Sequence, residues 1–387
     1  MSRRLVWPFA FNFFHFAAVA ASMPFLVLHY QQLGFTGTQI GLLTGITPLV
    51  ALGFTPVWTG LADRFNRHKL ILGFLLLSAA AAFFIFPLFK PFLPVLIIAV
   101  TYNIFFGPLT SFSDSSAMAM LGDQKNLYGR VRLGGTIGYG IMALISGSLV
   151  QLLGLKAAFW SCSGLLLANF LVSRNMDFSE TEQQEINWKK TLRLLANRQW
   201  FFFIVLAFSG GISLGVLNNY LFPLMRDLNA SETAMGFALT IGTLAEVPVM
   251  IFGDRLLKRF GSEGLLKTAL LITVVRLLLC FFAGTPTAIL LIQLTNGMTF
   301  PAFWIAGVSL ADENAPPGLH TTAQGIFNVL VWGVGNAAGG FAGGPLLEMY
   351  GSKSLFLVSG IVVLGILILV SVLQWVFQQN EKLKQPV

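Results

Sequence analysis

The chain has 387 residues, 55% of them hydrophobic and only 10% charged, with a mean hydropathy of +0.75. Soluble domains carry about a quarter charged residues, so this composition excludes a soluble globular fold and makes the lipid bilayer the solvent. A net charge of +8 would suit a nucleic-acid partner, but the basic residues sit in short loops between apolar runs, where they set topology, and that class is excluded too.

A helix needs about 20 mostly apolar residues to cross a bilayer. Twelve such runs follow one another, near 5–30, 40–59, 70–89, 92–118, 130–153, 157–172, 200–224, 236–256, 265–282, 288–310, 321–347 and 354–377. They are continuous rather than alternating, which excludes membrane-spanning strands. The expected fold is an all-α membrane protein with twelve transmembrane helices in two pseudo-symmetric six-helix bundles. Arg3 and Arg4 ahead of the first run resemble a signal peptide, but the run is too long for one and is read as an uncleaved first span.

Of the 24 Lys and Arg, Lys90, Lys156, Arg226 and Lys353 fall on one set of loops and Arg276 inside a span. All the others belong to the opposite side. This positive-inside bias predicts a multi-pass protein of an inner or plasma membrane with both termini cytoplasmic. Cys162 and Cys280 both lie in spans. No disulfide framework, metal-ligand spacing or cofactor motif is expected.

The longest polar stretch, 173–199, lies near the midpoint and divides a bundle of residues 1–172 from one of 200–387. Within it Ile186, Trp188, Leu192 and Leu195 alternate with Lys189, Lys190 and Arg193. That pattern fits a short helix on the inner membrane surface or a solvated linker. The flanks repeat each other. "GLADRFNRHKLIL" (60–72) is answered by "FGDRLLKRFGSEGLL" (252–266), and "GSLVQLLGLKAAF" (147–159) by "GPLLEMYGSKSLF" (344–356). Six spans duplicated in parallel, with the site between the halves, is a transporter plan.

At these residues a resemblance becomes specific. Gly60 to Lys69, reading G-L-A-D-R-x-x-R-x-K and so one residue shorter between glycine and leucine, resemble the G-x-L-A-D-R-x-x-R-x-K loop of the major facilitator superfamily, with Asn66, which tolerates positive φ, in place of the usual second glycine. The resemblance implies alternating access by a functional monomer. It also implies a conformational latch at Gly60, Asp63, Arg64 and Arg67, repeated at Asp254 and Arg255. Gly60 would let the backbone pass a neighbour closely, and Asp63 would accept from Arg64 or Arg67 or sit against a helix N-terminus.

Three ionisable groups, Asp114, Glu246 and Arg276, remain within spans. Each costs ~2.5–3.5 kcal/mol at a helix centre, so each must pair, face the interior or line water. "NIFFGPLTSFSDSS" with "YGRVRLGGTIGYG", and "GTLAEVPVM" with "LLITVVRLLLC", resemble the fourth and fifth and the eighth and ninth spans of the phenylpropionate permease and lactose permease families. The resemblance implies that Asp114 faces Arg132 and contacts substrate, and that Glu246 and Arg276 couple transport to protons. Burial disfavours a carboxylate's charged form and a nearby arginine favours it, so Glu246 could take a proton from one side and release it to the other. Where those families carry a histidine in the tenth span, this chain has Asn296, which hydrogen-bonds but does not titrate.

The polar and aromatic residues left inside spans are the substrate-binding candidates: Asn12, His15, Asn103, Asn218, Asn219, Gln293, Asn296, Trp304, Asn328 and Trp332. Amides supply donors and acceptors for sugars or nucleosides, and Arg132 suits a carboxylate. The same amides also bond between helices. The expected function is proton-coupled symport of a small organic solute such as an aromatic carboxylate, sugar or nucleoside. An exporter or uncoupled facilitator is the alternative, and a transporter-like sensor a further one. An intramembrane enzyme is not expected, because no nucleophile–base or metal constellation occurs in the spans.

Overall fold

The computed structural model describes residues 3–124, 127–178, 198–316 and 319–384. Among them, eleven helical segments are long and apolar enough to cross a membrane. In chain order they are α1 (Leu5–Gln32), α2 (Gly37–Phe65), α3 (His68–Leu88), α4 (Phe92–Leu121), α5 (Tyr128–Leu153), α6 (Lys156–Ser173), α7 (Arg198–Asp227), α8 (Glu232–Phe260), α9 (Ser262–Phe282), α10 (Pro286–Glu313) and α11 (His320–Phe377). The last has 58 residues, about 87 Å of helix against a hydrocarbon core of ~30 Å. It breaks at Gly351, where φ is 76°, and each arm is long enough to cross alone. The expected count of twelve rests on that break. The surface helix expected around Trp188 falls outside the described residues.

The duplication written in the sequence is repeated in the backbone. Gly154, after α5, and Gly351 share one conformation, with φ of 82° and 76° and ψ of 171° in both. No Cβ fits there without strain. After α1, the N–H of Phe35 reaches back to the carbonyl of Tyr30; after α7, Ala230 reaches back to Met225. Gly34 and Asn229 hold the positive φ between them, so each turn ends its helix by satisfying carbonyls that have no intrahelical donor. The next helix starts each time with a hydroxyl cap: Thr36 accepts from the N–H of Gln39 and Ser231 from that of Ala234, both at 3.2 Å. Asn66 ends α2 in the left-handed region, φ 50° and ψ 41°, as its tolerance of positive φ leads one to expect.

The halves meet at the end of the bundle that carries Gly34, Gly154, Asn229 and Gly351, the closed end. Small residues allow it. On one side Gly37, Gly41 and Gly45 of α2 pack on Gly340, Phe341, Gly344 and Pro345 of α11. On the other, Gly147 of α5 packs on Gly236 of α8, and Thr240 donates to the carbonyl of Gly140 at 3.0 Å. Tyr220 of α7 joins α11 and α2, donating to the carbonyl of Gly340 at 2.8 Å and lying 3.2 Å from the hydroxyl of Thr44. One apolar core runs from the first bundle through the closed end into residues 216–239 and on to 277–292 and 355–356. A second lies wholly in the C-terminal bundle, around Trp200, Leu266, Phe303 and Phe327.

At the opposite end the ion pairs found among the described residues do not cross between the halves. Asp63 meets His68 at 2.8 Å, and Lys69 meets Asp177 at 2.8 Å. Arg64 lies over Phe65 and Arg255 over Phe252. This decides between two expectations for the latch and corrects a third. Asp63 sits against the first turn of α3, as one of its two expected placements has it, rather than against Arg64 or Arg67, because the reversal at Asn66 swings that turn back onto it. Gly60 has no atom of the described residues within 4 Å of where a Cβ would stand, so no described backbone passes close to it.

The packing predicts a contrast between two glycines. Gly344→Ala drives a methyl into the carbonyl of Gly37 and the backbone of Gly41, overpacking of the kind that costs about 1–3 kcal/mol. A lower thermal unfolding midpoint in detergent is the expected result. Gly60→Ala, with open space around it, leaves the midpoint unchanged or slightly raised.

Candidate functional site

Glu246 stands fourteen residues from either end of α8, about 21 Å of helix from each, and so near the middle of the bilayer. Its carboxylate accepts from the Nδ2 of Asn296 at 2.6 Å. The other face of the same amide is held by Arg276, whose Nη1 donates to its Oδ1. Asn296 also donates to the carbonyl of Gly242 at 3.3 Å. The guanidinium is 4% exposed and is otherwise met by neutral oxygens, Thr299 at 3.0 Å and Gln293 at 2.6 Å. Acid and base therefore do not touch. They are joined through one side-chain amide, which donates at one atom and accepts at the other.

Helix geometry makes the arrangement possible. Gln293–Thr295 is a tightened 3-10 turn inside α10, after which Asn296 and Thr299, three apart, lie on one face toward α9. Gly297 lets α10 approach α8 so closely that a Cβ would meet the backbone of Ala245. A larger residue there would separate Asn296 from Glu246. Burial without partners would be costly for a cation in hydrocarbon, and three acceptors offset that cost.

The second charged group lies nearer the open end. Asp114 is seven residues from the end of α4 and Arg132 four from the start of α5. The Oδ1 of Asp114 accepts from the Tyr128 hydroxyl at 2.7 Å and from Arg132 at 3.4 Å. The acid and the arginine are 39% and 43% exposed, so they line an accessible space. Arg132 also lies over the ring of Phe16, 5.4 Å from its centroid. Tyr128 was missed by sequence reasoning, although it stands four residues before Arg132 in the quoted "YGRVR" turn and so shares its helix face.

A counterpart in the second half was also missed. Asp312, late in α10, accepts through its Oδ1 from His320 at 3.1 Å and Gln324 at 3.3 Å, both on the first turns of α11. His320 and Gln324 are four apart, as are Tyr128 and Arg132. An acid ending one span and two donors opening the next thus occur twice.

The remaining candidates separate by burial. Asn12 and His15 are 1% and 2% exposed. They bond to α4, Asn12 to Ser113 at 3.1 Å and His15 to Thr110 at 3.1 Å, and His15 stacks on Phe106. In this conformation they join α1 to α4 and present no free face to a solute, because two polar groups facing each other in an apolar bundle satisfy one another first. Gln293 is likewise used by Arg276. Asn103, Asn219 and Asn328 each donate to the carbonyl four residues back on their own helix, at 2.8, 2.7 and 3.0 Å. Asn218 is exposed.

Trp304 and Trp332 form an aromatic corner with Phe300, with ring centroids 5.8–6.2 Å apart. Trp332 is 39% exposed and sits in a π-helical stretch, Val329–Gly335, a distortion common at functional sites. Gly333 beside it faces Leu52 of α2, so this corner adjoins the seam between the halves. No group of three or more His, Cys, Asp or Glu placed to hold a metal occurs among the described residues.

Comparison with known proteins agrees with this architecture. The model of the MFS_1 like family matches residues 6–358. The maltose permease of Geobacillus stearothermophilus is 26% identical over 95% of this chain and 94% of its own length. The putative nucleoside transporter YegT of Escherichia coli (strain K12) is 24% identical over 84% of this chain and 80% of its own. Among solved structures, the nucleoside transporter NupG superposes with a TM-score of 0.84 at 16% identity, covering 96% of this chain and 99% of that one, a likeness of fold.

The Arg276 network predicts unequal costs on truncation. Arg276→Met leaves the buried oxygen of Gln293 and the Oδ1 of Asn296 without their donor, a loss of about 2–4 kcal/mol. Asn218→Ala, at an exposed position, falls within about 0.5 kcal/mol of the parent. Thermal unfolding of the two purified variants checks the difference.

Proposed function

Because the chain belongs to the MFS_1 like family, whose members are membrane transporters of small molecules and not enzymes, we propose that it is a proton-coupled symporter that imports a small organic solute by alternating access. The observation that carries this reading is Glu246. It is a mid-span carboxylate, tied through one amide to a buried arginine and set beside the seam where the halves part. A charge is retained at that depth against a cost of ~2.5–3.5 kcal/mol, and a group that gains and loses a proton during the cycle accounts for its retention.

In this reading residues 1–172 and 200–387 are the rocking units, joined by 173–199, with both termini cytoplasmic. The open end is then the cytoplasmic one and the structure faces inward. Asp63, Arg64, Arg67, Asp254 and Arg255 would draw together when that end closes. The solute binds between Asp114–Arg132 of the first half and the Phe300–Trp304–Trp332 corner of the second. A ring with polar edges suits both: its face stacks on the indoles, and its hydroxyls or amides meet the carboxylate and guanidinium. Sugars and nucleosides meet that description, and the names of the maltose permease and the nucleoside transporters support it.

The test is a proton electrode in a suspension of liposomes holding the purified protein, with sugars, nucleosides and aromatic acids added in turn. External alkalinisation on adding one compound identifies the solute and establishes symport. Counterflow of a compound that moves no protons means an uncoupled carrier. Glu246→Gln is expected to keep counterflow within about two-fold of the parent and to lose accumulation driven by a proton gradient. Uphill accumulation in that variant would refute the role given to Glu246.

A further inference from the structure

Two polar contacts cross between the halves at the rim of the closed end, and they answer one another in the repeat. Near the end of α5, the Oε1 of Gln151 accepts from the backbone N–H of Thr233 at 3.3 Å and from its hydroxyl at 2.5 Å. On α11, the Oε2 of Glu348 accepts from the backbone N–H of Thr38 at 3.3 Å. Gln151 stands three residues before Gly154 and Glu348 three before Gly351. Thr38 and Thr233 are each the second residue of the helix they open, α2 and α8.

The receiving amides are defined by the caps. The first N–H groups of a helix have no partner within it. The hydroxyls of Thr36 and Ser231 serve the third residue of each helix, Gln39 and Ala234. The second residue's amide is left over, and in both helices the opposite half supplies its acceptor. We propose that Gln151 and Glu348 are the two latches of the closed end, each completing a helix terminus of the other half only while that end is shut.

The latches are unequal, and the sequence shows the compensation. A helix N-terminus favours negative charge. The first turn of α8 carries its own, Glu232, while α2 has no acidic residue there. The neutral Gln151 thus faces the helix that already has a carboxylate, and the charged Glu348 faces the helix that lacks one. Charge-assisted hydrogen bonds are the stronger kind. Glu348 is therefore the dominant latch and the seam between α2 and α11 the more tightly held of the two. Both oxygens belong to residues exposed at the rim, so the effect is that of a surface helix-terminus charge, about two- to five-fold in the opening equilibrium at low salt.

This inference rests on the alternating-access reading, and one experiment separates them. Spin labels attached at positions 90 and 284, exposed in the α3–α4 and α9–α10 loops of the closed end, report its opening through pulsed electron-spin distance distributions in liposomes. The expected result is two distances, with the longer one gaining about two- to five-fold in relative weight in Glu348→Ala and less in Glu348→Gln, which keeps an oxygen but not the charge. Gln151→Ala is expected to shift the weights less than Glu348→Ala, and added salt to shrink the difference between parent and Glu348→Gln. Two distances with unchanged weights in all the variants overturn the latch and leave alternating access standing. A larger opening in Gln151→Ala than in Glu348→Ala overturns the asymmetry on which the inference is built. A single distance in every protein overturns both readings.

Discussion

Hydrocarbon offers no hydrogen-bond partner, and most of what distinguishes this bundle follows from that constraint. A polar group inside a span gains most from a partner in the protein, and many find one. The amides of Asn103, Asn219 and Asn328 do so on their own helix, at no consequence for the fold. Those that reach across helices fix the architecture. Asn12 and His15 tie α1 to α4, Tyr220 ties α7 to α11 and to α2, and Arg276 gathers three oxygens of α10. A polar residue is costly to insert and correspondingly specific once paired.

The same constraint accounts for the way the halves are joined. Beside the apolar core that crosses the closed end, glycine packs against glycine, along α2 and α11 and along α5 and α8. Such packing gains dispersion contacts by close approach and leaves little uncompensated when the backbones part. The polar contacts at its rim, at Thr38 and Thr233, are exposed to water, and water replaces them on opening at small net cost.

Much of this was legible in the sequence, and the reasons are specific. Spans are legible because length and apolar continuity are local properties; the boundaries read from the runs agree with the helices to within a few residues for most spans. The repeat was legible because Gly154 and Gly351 occupy a backbone conformation that other residues avoid, so the glycine persists in both copies. The pairing of Asp114 with Arg132 was read from a resemblance and lies in the structure as a 3.4 Å contact. What was not legible depends on how helices distant in sequence lie against one another. Asn296 reads as a lost histidine in the chain and as a bridge between acid and base in space, because no spacing rule relates residues 246, 276 and 296. Gly60 has an open neighbourhood among the described residues, which a motif alone does not tell. Asp63 found His68 because a left-handed residue at 66 turned the chain.

The two halves also show how a duplicated plan diverges. At the end of α4 and the start of α5, an acid meets a tyrosine and an arginine. At the end of α10 and the start of α11, the matching acid meets a histidine and a glutamine. The first cluster holds a fixed cation. In the second, an imidazole and an amide take the places of the phenol and the guanidinium. At mid-depth the asymmetry reverses: Glu246 and Arg276 both belong to the second half, while in the first α1 and α4 are joined by Asn12 with Ser113 and His15 with Thr110. A pseudo-symmetric scaffold requires the halves to share helix lengths, caps and crossing points, since these decide whether they can rock. It places no such demand on the polar residues they enclose. The mid-span charges therefore lie in one half, while near the open end each half keeps an acid with donors of its own.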